Sequence, residues 1–329
     1  METLTIKNLT KVFDDQKAVN NVSFSLQKGE ILAILGESGS GKTTLLHLIA
    51  ALHEPTAGTL LLEGKKITPP SKKLISGHSE IKLVRQDYGL FPNMTIRENI
   101  AYELRYYEEK YRNKRIDKLL KISGIQKVQH HLPRQVSGGE QQRAVIAKAI
   151  AEEPTLLLLD EPFSHLDTLN KQRLKAEILQ IIKEEQVSCL FVTHDVVDAY
   201  ALADRMIVMQ KGKILQIDEP QAIYENPKNE YIATITGNIN LFSADIFSKN
   251  FPQFSDVSSS KNIVIRYEKI KIINENGIKA RVEKCIFLGS FYEIWANVSN
   301  EIVLKFYSFD KLLINQEINL QITDYKCFN

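Results

Sequence analysis

"ILAILGESGSGKTT", residues 31–44, decides how this chain is to be read. Five apolar residues form a strand-like run. The next eight satisfy G-x-x-x-x-G-K-[ST], and a helical pattern opens at residue 42. Strand, glycine loop and helix in that order are the context a phosphate-binding loop needs. The glycines let backbone N–H groups converge on phosphate oxygens, aided by the start of the helix. Lys42 is then set to reach β- and γ-phosphates, and the Thr43 hydroxyl to complete a Mg²⁺ shell. A second anion cradle is written further along, "VSGGEQQRA" at 136–144, where Ser-Gly-Gly feeds another helical run. Two cradles could serve two nucleotides, or one nucleotide could need both.

Further phrases supply the chemistry of hydrolysis. "TLLLLDEP" (155–162) is a buried strand ending in two carboxylates with no neutralising neighbour. Asp160 is predicted to hold Mg²⁺ through water, and Glu161 to orient or deprotonate an attacking water, a role worth about 10²–10⁴ in rate. "FVTHD" (191–195) places His194 at the end of another apolar strand, where a γ-phosphate contact is the expected use.

The bulk composition fits two soluble globular domains: 329 residues, 43% hydrophobic, 25% charged, net charge +2. That charge is too small to argue for nucleic acid or anionic lipid as a partner. Cys189, Cys285 and Cys327 show no metal-ligand spacing and suit a reducing cytoplasm. No stretch approaches the roughly 18 apolar residues of a membrane span, and the N-terminus does not read as a signal peptide. A membrane role is therefore expected to come through a partner.

Strand-like runs "LTIKNL", "AVNNVSFSL", "ILAILG", "TLLLEG", "IKLVRQ", "TLLLLD", "SCLFVTH" and "RMIVMQ" alternate with helical patterns at 42–51, 95–107, 139–152, 168–185 and 195–203. The alternation predicts an α/β fold with a mainly parallel sheet covered on both faces. Residues 88–150 read as a helical subdomain inserted into that core. After "GNIN" (237–240) short strand candidates with turn signals predict a small β-barrel or sandwich.

Taken together, the motifs resemble the ATP-binding cassette family, the ATPase subunits of ABC transporters, over about 230 residues and in the family's order. "VSGGEQQRA" is similar to the family's signature motif. "RQDYGLFPNMT" puts Gln86 at the Q-loop, and "SHLD" (164–167) puts Asp167 in the D-loop. His194 matches the switch histidine, and Phe13 in "KVFDDQKAV" falls where the family stacks a ring on adenine. The resemblance implies an ATP site of Phe13, Gly36, Glu37, Ser38, Gly39, Ser40, Gly41, Lys42, Thr43 and Thr44, with Ser137, Gly138, Gly139 and Glu140. It implies a catalytic set of Glu161, His194, Gln86 and Lys42, and a Mg²⁺ set of Thr43, Gln86 and Asp160. It also answers the question of the two cradles: one ATP lies between the P-loop of one cassette and the signature of another, so the working unit is a homodimer. The signature departs from the family at Val136, usually Leu, and at Glu140, usually Gln, neither of which removes a catalytic group.

"GNINLFSADI" and "NIVIRYEKIKI" resemble the entry to an OB-like regulatory barrel on importer ATPases, with Tyr267 where that family has Pro. The expected fold is thus a P-loop NTPase core at 1–236 with its helical subdomain, followed by an OB-like barrel at 237–329. The expected function is the ATP-hydrolysing subunit of an importer for iron(III) or a polyamine. It would sit peripherally on the cytoplasmic face of the cell membrane through a permease, and be served indirectly by a substrate-binding protein. Tyr88, Leu90, Phe91 and Met94 are either the groove that receives the permease or subdomain core. The alternatives are a soluble cassette ATPase acting on nucleic acid or ribosomes, or an exporter ATPase. The first lacks support in a single cassette without a long coiled-coil insertion, and the second is disfavoured by the β-rich tail.

Overall fold

The computed structural model describes residues 1–73, 76–85, 89–163, 168–254 and 261–328. The sequence-predicted Gln86, Tyr88 and Asp167, with the rest of "SHLD", lie outside them. The chain divides into two units, Met1–Ile223 and Tyr224–Asn329.

The first unit begins with strands β1 (Glu2–Phe13) and β2 (Gln16–Gln27), then β3 (Ile31–Leu35) and helix α1 (Lys42–Ile49). Next come β4 (Ala57–Leu62), β5 (Lys65–Lys66) and β6 (Ile81–Val84). Three helices follow, α2 (Ile96–Glu103), α3 (Glu109–Ile122) and α4 (Gly138–Ala149), with no strand among the described residues between them. The unit closes with β7 (Leu156–Asp160), α5 (Thr168–Glu184), β8 (Ser188–Thr193), α6 (Val196–Leu202), β9 (Arg205–Gln210), β10 (Lys213–Asp218) and α7 (Pro220–Glu225), the last running across the unit boundary.

Six of these strands form one sheet in the order β10-β9-β3-β8-β7-β6, parallel except for the β9–β10 hairpin. Its inner strands β9, β3, β8 and β7 are buried on both faces. In β8, Leu190 and Val192 join the core that holds Leu45 and Leu48 of α1. The alternate residues Cys189 and Phe191 meet Ile178 and Ile182 of α5. Side chains alternate across a strand, so a double-sided strand must be apolar throughout, which is why these runs lack a polar period.

Three sequence-predicted strands do not join that sheet. "LTIKNL", "AVNNVSFSL" and "TLLLEG" form a separate antiparallel sheet of order β2-β1-β4-β5. The reason is local. Only Asp14 and Asp15 separate β1 from β2, both with positive φ (40° and 68°). A two-residue turn of that hand closes an antiparallel hairpin, whereas parallel neighbours need a long crossover. The inward residues Leu4, Ile6, Val22, Leu60 and Leu62 share one core with α1 and the parallel sheet.

The second unit holds α8 (Glu230–Thr236), β11 (Ile239–Ser243), α9 (Ala244–Asn250), β12 (Asn262–Arg266), β13 (Ile270–Ile273) and β14 (Ile278–Phe287). It ends with β15 (Tyr292–Ser299), β16 (Ile302–Ser308), β17 (Glu317–Ile322) and β18 (Lys326–Phe328). Its two sheets, β11-β12-β18 and β13-β17-β14-β15-β16, pair antiparallel throughout. Val282, Ile294, Leu304, Phe306 and Leu320 fill its core, closed by Phe247 and Phe251. This is the small OB-like all-β region the sequence led us to expect. No described helix is long and apolar enough to cross a membrane.

Candidate active site

The site is assembled at the carboxyl ends of three adjacent parallel strands, the usual ligand position in such sheets. Leu35 pairs with Thr193, and Asp160 with Val192. The loops leaving β3, β7 and β8 therefore emerge side by side, carrying 36–41, Glu161 and His194.

Two glycines of the first loop are required by space. At Gly41 φ is +98°, and a Cβ would sit 2.2 Å from the Ala18 carbonyl oxygen. At Gly36 a Cβ would lie 2.5 Å from the Met209 carbonyl oxygen. The loop is thus wedged between β1–β2 and β9–β10, and only glycine fits. Lys42 heads α1, and its ammonium folds back to donate to the carbonyls of Gly36 (2.8 Å) and Glu37 (2.9 Å). Burial pulls its pKa down, against the opposing pull of Glu161, Asp160 and Glu37. The next residue, Thr43, is exposed and donates to Asp160 Oδ1 at 3.3 Å. Burial pushes the Asp160 carboxyl up, while the Thr43 hydrogen bond and Lys42 favour its ionised form.

Glu161 adopts a positive φ of 45°, a conformation that costs a non-glycine residue about 1–3 kcal/mol and is concentrated at functional sites. Its Oε2 lies 3.1 Å from His194 Nδ1. A carboxylate and an imidazole from neighbouring strand ends thus face each other beside Lys42. A hydroxyl and a carboxylate at Thr43 and Asp160 form a hard oxygen pair that suits Mg²⁺, an ion bound by one or two protein oxygens plus substrate phosphates.

An open cavity of about 630 Å³ runs from these residues along the glycine loop to Phe13. Ser38, Gly39, Gly41, Lys42, Thr43, Thr44 and Glu161 line it; Gly36, Glu37 and Ser40 lie behind in the same loop. Phe13 ends β1 with 41% of its surface exposed. Lys11 Nζ sits 4.7 Å from one face of the ring, and His53 meets it edge-on at 5.8 Å between centroids. Sequence reasoning missed Gln16, Lys17, Ala18, Lys211 and Gly212, which also line the cavity. The signal available for the last two was the "QKGK" turn between strands: Lys211 and Gly212 both have positive φ, and the Gly212 N–H donates to Ser40 O at 3.0 Å.

Ser137, Gly138, Gly139 and Glu140 are not among the residues lining this cavity. Ser137 caps α4: its Oγ accepts from the Glu140 N–H (3.3 Å), and Glu140 Oε2 accepts from the Ser137 N–H (2.8 Å) and Oγ–H (2.8 Å). This reciprocal box satisfies the first donors of the helix. The Ser137 N–H holds the Glu140 carboxyl below its ordinary range. Beyond residue 88, Leu90, Phe91 and Met94 are half-buried. The fully buried Asn99 amide fixes this turn by donating to the carbonyls of Phe91, Met94 and Thr95. A hollow of about 240 Å³ lies alongside, lined by Arg85, Gly89, Glu103, Val145 and Lys148 among others.

Residues 19–164 match the ABC transporter domain family. The chain is 35% identical to the spermidine/putrescine import ATP-binding protein PotA of Lawsonia intracellularis, covering 88% of this chain and 85% of that one. It is 40% identical to the Fe(3+) ions import ATP-binding protein FbpC 2 of Haemophilus influenzae, covering 76% and 71%. Among solved structures, the ATP-binding cassette MJ0796, a dimer in a post-hydrolysis state bound to ADP and Pi, superimposes with a TM-score of 0.56 at 28% identity. That match covers 66% of this chain and 98% of the other. CbiO1 of Clostridium perfringens shares the fold, with a TM-score of 0.64 at 24% identity over 77% and 96%.

Proposed function

This chain belongs to the ATP-binding subunits of ABC importers, and on that premise we propose how its residues divide the work of ATP hydrolysis. The loop N–H groups and Lys42 bind the β- and γ-phosphates. Lys42 exchanges the carbonyls of Gly36 and Glu37 for phosphate oxygens, so its charge is already in place before ligand arrives. Phe13, 41% exposed at the cavity wall, offers its ring to the adenine. Thr43 and Asp160, with Gln86, hold Mg²⁺, which when bound neutralises charge on the phosphates. Glu161 polarises the attacking water and takes its proton, and His194 orients the γ-phosphate while its Nδ1 side is held by Glu161. The single observation that carries this reading is the facing of Glu161 and His194 at 3.1 Å, beside Lys42 at three adjoining strand ends.

Ser137, Gly138, Gly139 and Glu140, together with Asp167, serve the ATP of a second copy. What supports this is that the cavity of one chain is built without residues 137–140. A two-fold dimer then completes two sites. The boundary we favour puts the ATPase at 1–236 and the regulatory barrel at 237–329. Residues following Gln86, with Leu90, Phe91 and Met94, receive the permease, and a binding protein delivers the cargo. The names of the relatives, import proteins for spermidine/putrescine and for Fe(3+), support a polyamine or ferric cargo. The chain works at the cytoplasmic face of the membrane through that permease.

Glu161→Gln tests the assignment. The amide keeps the shape but cannot accept the proton, so ATP still binds while turnover falls by about 10²-fold or more. An ATP-held dimer then accumulates on size-exclusion chromatography. Hydrolysis at the parental rate removes Glu161 from the catalytic role.

A further inference from the structure

Beside the segments that carry Glu161 and His194 is a compact ion network, none of whose residues lines the cavity. Lys171 and Lys175 stand four residues apart on α5 and so share one helix face. Lys171 Nζ lies 2.5 Å from Asp195 Oδ2 and 3.0 Å from Asp198 Oδ1. Lys175 pairs with the same Asp198 oxygen and sits 5.9 Å over the ring of Phe163. The Thr193 hydroxyl donates to Asp198 Oδ2 at 3.3 Å and accepts from the Asp195 N–H at 3.0 Å. Asp195 Oδ1 also caps α6 by accepting from the Val197 N–H at 2.9 Å. Thr193, Lys175 and Asp198 are all buried.

The placement of these groups gives the network its meaning. Thr193 and Asp195 flank His194 in the chain, and Phe163 follows Glu161 by two residues. His194 itself is more than half exposed, so packing does little to fix its imidazole. Its direction depends on the backbone at 193–195 and on Glu161. One face of α5 therefore grips both segments that carry the reacting pair. Lys171 holds the histidine segment through Asp195, and Lys175 reaches both Asp198 and Phe163.

We propose that Lys171 and Lys175 are positioning residues for ATP hydrolysis, pinning the two strand-end segments so that Glu161 and His194 stay aligned. This rests on the assignment of those two residues made above. Misplacement of a reacting group by about an ångström can cost about 10²-fold, whereas the nucleotide itself is held by a different loop. Loss of the clamp accordingly acts on turnover and not on ATP affinity.

The test uses the full chain with Lys171→Met and Lys171→Arg, each alone and combined with His194→Ala. ATP affinity, KM, kcat and the melting temperature are measured for every variant, with single-turnover assays for the slow ones. Lys171 is chosen because its side chain is partly exposed, and removing it leaves no fully buried lone charge. Lys171→Met is expected to lower kcat about tenfold or more, with KM and ATP affinity within about twofold. Lys171→Arg should restore most of the loss. In the His194→Ala background Lys171→Met should add nothing, because residues acting as a unit are not additive. Parental kcat in Lys171→Met overturns the proposal. So does a loss that arginine fails to restore, that falls equally on ATP affinity, or that multiplies in the His194→Ala background. Parental turnover by His194→Ala overturns the underlying assignment, and with it the proposal, and that result is visible without any change at Lys171.

Discussion

Replacing Gly41 and Gly39 by alanine, one at a time, separates two costs that the glycine loop carries together. Both have positive φ, +98° and +80°, but a Cβ at Gly39 meets nothing within 4 Å, while at Gly41 it meets a backbone oxygen at 2.2 Å. Left-handed backbone costs an L-residue about 1–2 kcal/mol. Alanine offsets about 0.4–1 kcal/mol of that by restricting the unfolded chain. Gly39→Ala should therefore destabilise by about 1 kcal/mol, a shift of about 2–4 °C for a unit of this size. Gly41→Ala carries the same strain plus an overlap with the Ala18 carbonyl, which belongs to β2 and cannot rotate away. Overpacking of that kind adds about 1–3 kcal/mol. The loop must also move by about an ångström to reach ordinary contact, which turns its N–H groups off the phosphates. ATP affinity should then fall about tenfold or more, each tenfold being about 1.4 kcal/mol. Calorimetric titration and thermal melts on the two variants measure both quantities. If Gly41→Ala melts with Gly39→Ala and binds ATP as the parent does, the wedge between β2 and the loop is not what demands glycine.

Acid should weaken one clamp selectively. Burial opposes ionisation of Glu185, but hydrogen bonds from Lys118 and Arg115 outweigh it and hold the carboxyl below its ordinary 4.5. A depressed folded value means that this stabilisation is complete above about pH 4.5 and is lost as pH falls through the lower folded value. Glu185→Gln leaves the buried Arg115 with only the exposed Glu153 carboxylate, 3.6 Å away, and should cost about 3–5 kcal/mol at neutral pH. Melting curves from pH 7 down to 3 should show the mutant's penalty shrinking at the acid end; a penalty constant with pH would refute the pairing. Thiol labelling of the folded protein should modify exposed Cys327 first, whereas Cys189, fully buried and with its thiol pushed far up by desolvation, should react only after denaturation. Early labelling of Cys189 would contradict its burial on the α5-facing side of β8. Ser137→Ala should cost about 1 kcal/mol through the lost cap, while Glu140→Gln keeps a reciprocal acceptor and should stay within about 0.5 kcal/mol of the parent. A larger loss in denaturant melts for Glu140→Gln would mean its charge stabilises the helix more than its geometry does.

The parts of this protein legible in its sequence were those whose chemistry is contiguous. The loop at 36–44, the acids at 160–161 and the Ser-Gly-Gly helix start at 137–139 each declare themselves within one short phrase. Unbroken apolar runs such as 156–159 and 189–192 told of strands covered on both faces. What escaped was set by contacts between distant segments. The separate antiparallel sheet follows from the backbone hand of Asp14 and Asp15, and composition alone does not state that hand. The floor of the cavity at Ala18 and Gly212 is joined to the glycine loop through Ser40, more than a hundred residues from Gly212 in the chain. Nothing near Lys171 in sequence names Asp195 as its partner. Charges spaced along a helix look like a solvated face until another element is laid against them.

The Glu140 cap has a consequence for how two cassettes meet. The N–H and hydroxyl of Ser137 that would greet an incoming phosphate are already engaged by a carboxylate three residues away on the same helix. That carboxylate is tethered on the same helix, so it stays beside these donors however dilute the protein is. On the reading proposed above, the phosphate of a nucleotide held on a second chain would have to displace that carboxylate to use these donors. The start of α4 is thus a seat that its own helix already fills.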